Sequence, residues 1–375
     1  MKSRLVYLDN AATSFPRPPS VATAMARAMA SAGNPGRGGH ALALDAARMV
    51  FGARVSLAEF FKLPDPERLV FTRGATEGIN IALKGLLQKG DTVAVSAIEH
   101  NAVARPLESL RKRGVKIVGA PLLPNGLPDH KRVPEVKMLV TVGASNVTGA
   151  IADVKRLGEA CRERGVMFMV DAAQTAGSVP FDARNVDILV CAGHKGLLGP
   201  QGIGFAWFRD GIEPEPFIEG GTGSESERVS MPQLWPDRLE AGTLNTPGIA
   251  GLAAGIEYLK KVTVAAVRER EIWLIRMILE ALLDEPEVTV YGPRAARKRA
   301  SLVTFNVKGM DPAEVADKLN RRGVAVRAGL HCAPAAHRFI GTFPEGAVRV
   351  SPGVMNTKKD IEKFIEAIRK IIGKR

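Results

Sequence analysis

Residues 166–204 read VMFMVDAAQTAGSVPFDARNVDILVCAGHKGLLGPQGIG. Two apolar runs stand out, 166–170 and 186–191. Each is too short for a helix and carries apolar residues on both faces, which fits a strand buried in a parallel sheet. Each run ends in polar groups, Asp171 after the first and His194-Lys195 after the second. Open α/β sheets bind ligands just outside the carboxyl ends of their strands. An acid and an amine at such ends suit a cofactor that needs both. Pyridoxal phosphate (PLP) is one: a lysine holds it as a Schiff base, and an acid pairs with its pyridinium nitrogen. A structural ion pair at a strand end fits Asp171 and Lys195 equally well when the two are taken alone.

The same alternation extends outward. Strands are expected at 68–72, 92–96, 116–120, 138–142 and 203–208. Helices are expected at 21–32, 42–61, 74–87, 103–113 and up to Arg164 from an Asp153 cap. This predicts an α/β domain whose mostly parallel sheet is covered on both faces. A loop of 220–245 is long enough to be functional, and helices follow at 246–260 and 264–283. Beyond them the rhythm becomes α+β, with strands at 288–291, 301–307, 324–328 and 347–350 and helices at 312–321 and 358–372. The expected division is a large domain of 16–262 and a small domain of 1–15 plus 263–375, with 1–15 as an extended arm.

The chain has 375 residues, 46% apolar and 24% charged, with net charge +13. Its Lys and Arg are dispersed, and the densest cluster, 294–299, contains no aromatic residue. The charge reads as solvated surface rather than a nucleic-acid interface, with docking of an acidic protein as the weaker reading. Three cysteines, none spaced for zinc, point to a reducing compartment. The N-terminal apolar run is too short for a signal peptide, and no stretch reaches the roughly 18 apolar residues of a membrane span. A cytoplasmic protein without membrane or metal is expected.

Further candidates cluster between elements. Gly74-Ala75-Thr76 opens a helix, where free N–H groups and the dipole favour phosphate; a plain Thr76 cap is the alternative. His100 follows a strand and could lie flat on an aromatic ring, or be a surface loop histidine. Asn146 could bond a ring substituent, or mark a turn. Gln174 could reach a ring hydroxyl, and Thr243 could donate to phosphate. The segment 193–200, GHKGLLGP, is the most specific: a neutral Lys195 amine attacks an aldehyde and later serves as general base. His40 ends a glycine-rich loop, Asn34-Pro-Gly-Arg37-Gly-Gly-His40. Cys161 and Cys191 read as core. Cys332 sits in Arg327-Ala-Gly-Leu330-His331-Cys332-Ala-Pro, with Arg327, His331 and His337 as cationic neighbours for a thiolate; an inert loop thiol is the other reading. Arg349 could clamp a carboxylate, or be an ordinary strand arginine.

Taken in order, from Tyr7-Leu-Asp-Asn-Ala-Ala12 to Met355-Asn-Thr357, these segments resemble the class V aminotransferase group of PLP enzymes, and within it the cysteine desulfurases and selenocysteine lyases. The GHK, DAAQ and RAGLHCAP segments carry the resemblance. It implies a homodimer of the aspartate-aminotransferase fold (fold type I). It also implies Lys195 as Schiff-base lysine, Asp171 on the pyridinium and His100 stacked on the ring. Asn146 and Gln174 would touch the ring. Ala75, Thr76 and His194 would hold the phosphate, with Thr243 supplied by the other subunit. Arg349 would bind the substrate carboxylate, Cys332 would take sulfur from L-cysteine as a persulfide, and His40 would lie near the substrate. Ala192, Gly143 and Leu330 depart from the common Ser, His and His of relatives, which bears on phosphate binding, the wall beside Asn146 and thiolate activation. The compact cysteine loop implies that a sulfur acceptor comes to the enzyme. The alternatives are a selenocysteine lyase, another class V aminotransferase or epimerase, and a non-catalytic regulator, for which there is no spare length for a DNA-binding domain.

Overall fold

The computed structural model describes residues 5–36, 38–180 and 182–373. The first four residues of the expected arm, and Arg37 of the glycine-rich loop, lie outside them. The elements run β1 (Val6–Tyr7), α1 (Pro19–Ser31), α2 (Ala41–Phe61), β2 (Leu69–Thr72), α3 (Ala75–Leu86), β3 (Thr92–Val95), α4 (Asn101–Lys112), β4 (Lys116–Gly119), β5 (Met138–Val142), α5 (Val154–Glu163), β6 (Met167–Asp171), β7 (Ile188–Ala192) and β8 (Gly204–Phe208). They continue with α6 (Thr246–Val262), α7 (Val264–Leu283), β9 (Val288–Tyr291), β10 (Val303–Val307), α8 (Pro312–Arg321), β11 (Val324–Ala325), β12 (Arg327–Gly329), α9 (Pro334–Phe339), β13 (Ala347–Val350) and α10 (Lys358–Ile371).

Seven strands form the main sheet in the order β2-β8-β7-β6-β5-β3-β4. The ladders joining β7, β6, β5, β3 and β4 are parallel, while β8 runs antiparallel to both β7 and β2. Every residue of β5, β7 and β8 is buried, as unbroken apolar runs require when both faces are covered. Successive side chains point to opposite faces, and the two cores sort accordingly. Leu139, Phe168 and Leu189 pack with Leu57 of α2, Leu157 of α5 and Ile249 of α6. Val140, Met169 and Val190 pack with Ile79 of α3 and Val103 and Leu107 of α4. Truncating a fully buried ring such as Phe168 to alanine should cost about 3–5 kcal/mol.

A second sheet, β12-β13-β10-β9, is antiparallel. Its core joins Leu274 of α7, Leu319 of α8 and Phe364 of α10 to Phe305 and Val348. Val6 and Leu8 of the N-terminal arm lie in that same core, and β1 pairs in parallel with β11. The arm therefore starts in the core beneath the smaller sheet, paired with β11 in a two-stranded sheet of its own, and crosses to the larger sheet.

Two expectations change on this side of the molecule. The strand expected at 324–328 is two short pieces, β11 and β12, which belong to different sheets. The loop after Cys332 closes into a helix, α9, because Pro334 supplies the fixed φ of a first helical turn.

Candidate active site

Six of the seven main strands run in one direction, and their carboxyl ends build one wall. The end of β2 brings Gly74, Ala75 and Thr76, that of β3 brings His100, and that of β5 brings Asn146. The end of β6 brings Asp171 and Gln174, and that of β7 brings His194 and Lys195. The opposite wall comes from the smaller sheet: Arg327 of β12, the loop residues His331 and Cys332, and Arg349 of β13. All of these line a single cavity of about 600 Å³, and Ala11 and Ala12 of the arm join them.

The Lys195 segment is tied down from the arm. The Ser14 hydroxyl donates to the Lys195 carbonyl at 2.7 Å, and the Ser14 amide donates to the His194 carbonyl at 3.0 Å. Burial lowers the Lys195 ammonium to about 8 against the pull of Asp171, with Arg349 and Arg327 lowering it further. A neutral amine is therefore accessible near physiological pH. Asp171 is buried and accepts the Ala173 amide at 2.9 Å. His100 accepts the Ala102 amide on Nδ1 at 3.0 Å, so its proton is assigned to Nε2. Its pKa is lowered, first by burial, which keeps the ring neutral.

Gly74, not Thr76, is the N-cap of α3, and no side chain caps the helix. Its φ of 152° and ψ of 177° lie where only glycine is comfortable. The first amides of α3 are thus open toward the cavity and suited to an anion. Gln174 donates to the Ala11 carbonyl at 2.9 Å, which holds the arm against the site.

Arg349 is 2% exposed. It donates to the Asn146 carbonyl at 3.0 Å and to Asp9 Oδ1 at 2.9 Å, and its Nε is buried without a partner among the described residues. Asn146 donates Nδ2 to the His331 carbonyl at 2.7 Å, and its Oδ1 is buried and, among the described residues, unpaired.

Cys332 is exposed and free, whereas Cys161 and Cys191 are buried. Burial pushes the Cys161 thiol up to about 12 and raises Cys191 well above its ordinary value. His331 and Cys332 are both left-handed, with φ of 49° and 56°. The Asn101 amide, donating to the Cys332 carbonyl at 2.8 Å, helps hold them. The expected cationic surroundings need correction. Burial, with the charge of Arg349, pushes His331 down to about 2 and His337 to about 4, so neither is charged. They form a neutral chain instead. His331 Nδ1 lies 3.1 Å from His337 Nε2, and His337 Nδ1 lies 2.7 Å from Thr342 Oγ1. The cation beside the sulfur is Arg327, 3.9 Å from Sγ.

Two candidates do not join the cavity in this chain. His40 is exposed and caps α2 through the Ala43 amide. Thr243 lines a neighbouring cleft with Phe71 and Arg73. Of the three departures, Ala192 lines the cavity. Gly143 has no room for a side chain, since a Cβ there would lie 2.6 Å from Thr175 Oγ1. Leu330 contributes its carbonyl to the Ala333 amide.

Sequence reasoning passed over Asp9, the partner of Arg349, and Glu99. Glu99 Oε1 accepts from Ser96 Oγ at 2.5 Å and from the Val142 amide at 3.0 Å, while Oε2 is buried without a partner among the described residues. Burial raises this carboxyl to about 8, and the charge of Asp171 adds to the rise. Its position directly before His100, at the end of a buried strand, was the available signal.

The donor set fits PLP: an amine, a buried carboxylate, a flat neutral imidazole and an open helix start. Asn146 Oδ1 adds an unsatisfied acceptor. Among the described residues no group of three His, Cys, Asp or Glu could hold a metal. No helix among them is long and apolar enough to cross a membrane.

A family model for class V aminotransferases matches residues 6–364. A probable cysteine desulfurase of Pyrococcus abyssi is 33% identical over 99% of this chain and 95% of its own length. One from Methanothermobacter thermautotrophicus is 34% identical over 98% and 95%. Among solved structures, the apo cysteine desulfurase of Thermococcus onnurineus superposes with a TM-score of 0.90 at 32% identity, covering 98% of this chain and 94% of that one. A cysteine desulfurase of Escherichia coli, in its S-sulfonic acid form, superposes at 0.85 and 30% identity over 99% and 95%.

Proposed function

We infer the activity from kinship first: the chain belongs to the class V aminotransferase family, and it is a PLP-dependent cysteine desulfurase that converts L-cysteine to L-alanine. The observation that carries this reading is that an exposed thiol, Cys332, and a desolvated amine, Lys195, line the same cavity.

Bound PLP supplies the electron sink for bond-breaking at the substrate α-carbon. Lys195 would hold the cofactor, and its low-pKa amine is suited to carry the substrate α-proton. Asp171 would keep the pyridine nitrogen protonated through its opposite charge. His100 would present a neutral imidazole to the ring. Ala75 and Thr76 would offer the amides of the α3 start to the phosphate, together with His194, and Gln174 and Asn146 would hold the ring. Arg349 receives the substrate carboxylate and Asn146 borders that position. The Cys332 sulfur, with Arg327 3.9 Å away, would attack the substrate sulfur. The S–S bond of a persulfide would form as the substrate C–S bond breaks; the electron pair of that bond would pass to the carbon skeleton, which takes up a proton there and leaves as alanine.

The same reading makes 16–262 the large domain and 1–15 plus 263–375 the small one. It makes the chain a homodimer, with Thr243 and His40 serving the neighbouring copy's site. The exposed Phe15, Met29, Leu42, Leu44 and Phe51 support a covered apolar face near α1 and α2. It places the protein in the cytoplasm, where an acceptor thiol or protein collects sulfur from the exposed Cys332.

Incubation with L-cysteine and with selenocysteine, assaying alanine in wild type and Cys332→Ala, tests the reading. Cysteine-dependent alanine should require Cys332. Undiminished desulfuration by the variant would sink the assignment, and a response confined to selenocysteine would convert it to a lyase.

A further inference from the structure

Four consecutive backbone carbonyls, those of Asn146, Val147, Thr148 and Gly149, each accept a hydrogen bond from the smaller sheet and its approach. Arg349 Nη1 donates to the first at 3.0 Å, Thr304 Oγ1 to the second at 2.5 Å, Arg299 Nη2 to the third at 3.2 Å and the Ala300 amide to the fourth at 2.8 Å. A loop of the larger sheet is thereby zipped, residue by residue, onto the smaller one. A bridge between Ala150 and Arg299 extends the seam.

Arg299 is the unusual member. It is 0% exposed, and no carboxylate pairs with it among the described residues. Besides Thr148 it donates to the Tyr291 carbonyl at 2.5 Å, and its Nε and Nη1 are buried without partners among the described residues. Burying a cation with so little compensation is costly, so a methionine of similar length would be the cheaper filler if packing were its whole purpose. The chain also closes tightly around it. At Gly292, with φ of 83°, a Cβ would lie 2.0 Å from the Thr148 carbonyl oxygen and 2.7 Å from Arg299 Nη2.

We propose that Arg299 is a positioning residue: by fixing the Asn146–Gly149 loop on the smaller sheet, it sets the spacing between Asn146 and Arg349 and thus the affinity for the substrate carboxylate. This rests on the functional reading above. The same loop reaches the sulfur-carrying segment, because Asn146 also holds the His331 carbonyl. The two residues then meet substrate as one preset pair. Loss of such positioning weakens ground and transition states alike, so it appears in KM rather than kcat.

The test uses Arg299→Met, Arg299→Lys and Thr304→Val, the last removing the neighbouring rung without touching Arg299. Two quantities are measured on the purified protein: amide exchange over 144–151 and 298–304, and steady-state alanine formation from cysteine. Arg299→Met and Thr304→Val should speed exchange in both segments by about tenfold. They should raise KM by about tenfold with kcat within about twofold, and Arg299→Lys should recover part of both. If Arg299→Met fails to fold, the other two variants decide. Faster exchange with unchanged KM would make the seam purely structural and overturn the proposal, as would unchanged exchange. A wild type that makes no alanine sinks the functional reading instead, and exchange alone then decides whether Arg299 holds the seam.

Discussion

Lys195 and Cys332 face one cavity from two elements built in opposite ways. Lys195 follows a fully buried central strand, and its own carbonyl and that of His194 are held by the arm. Cys332 sits between a three-residue strand and a six-residue helix, exposed, on two successive left-handed residues. The difference matches their tasks. An amine that must stay neutral needs desolvation and a fixed floor. Under the proposed function a thiol that takes sulfur inside and gives it up outside would need access, and its strained backbone persists because neighbours hold it. In the proposed function, rigidity on one side and held strain on the other would therefore divide cofactor binding from sulfur transfer.

The widest break in that comparison comes from removing each reactive atom. Lys195→Ala should abolish both turnover and the visible absorbance of covalently held cofactor. Cys332→Ala should keep the absorbance and lower cysteine-dependent alanine formation by at least about 10³-fold. Absorbance spectra of the two purified variants separate the roles. Loss of cofactor from the Cys332 variant would erase the distinction.

Next in size is Asn146→Ala, which unlocks the cysteine side and leaves the Lys195 clamp in place. The His331 carbonyl loses its donor, and a buried unsatisfied acceptor costs about 1–3 kcal/mol. Activity should fall by roughly 10–100-fold, with a lower melting temperature. Ser14→Ala, which loosens the opposite clamp, should instead slow reconstitution with cofactor. Identical profiles for the two would mean that the segments are not independent.

The lysine side was the more legible of the two. Its strands are uninterrupted apolar runs, so periodicity located β5 to β8, and the polar residues that end them marked the wall. The smaller sheet was read less well where tertiary context decides. Nothing in Val324–Gly329 indicates that the run splits between two sheets. The histidines beside Cys332 looked cationic because sequence shows neighbours but not burial; His337 is 0% exposed. Asp9 escaped notice because its partner lies 340 residues away.

Glu99 offers a smaller and pH-dependent probe of the lysine side. Its folded-state pKa of about 8 lies above the ordinary 4.5, so the folded chain holds a proton that the unfolded chain has released. The stability this proton contributes is complete below the unfolded value and is lost as pH rises through about 8, by up to ~1.4 kcal/mol per pH unit. Glu99→Gln keeps the two hydrogen bonds and removes the titration. Its melting temperature relative to wild type should therefore climb between pH 5 and pH 8. Parallel melting curves across that range would show that Glu99 ionises normally.

The smallest effect should come from Thr342→Val, at the far end of the neutral histidine chain. Thr342 is 5% exposed, and its hydroxyl lies 2.7 Å from His337 Nδ1. Its loss should cost about 1 kcal/mol, a shift of a few degrees in melting temperature. Turnover should fall no more than about threefold, because Asn146 and the Asn101 amide still hold the carbonyls of His331 and Cys332. Thermal melts and steady-state rates on one preparation measure both. A collapse of activity comparable to Cys332→Ala would mean that the histidine chain takes part in sulfur transfer itself, and the cysteine loop would then need more than its two carbonyl anchors to work.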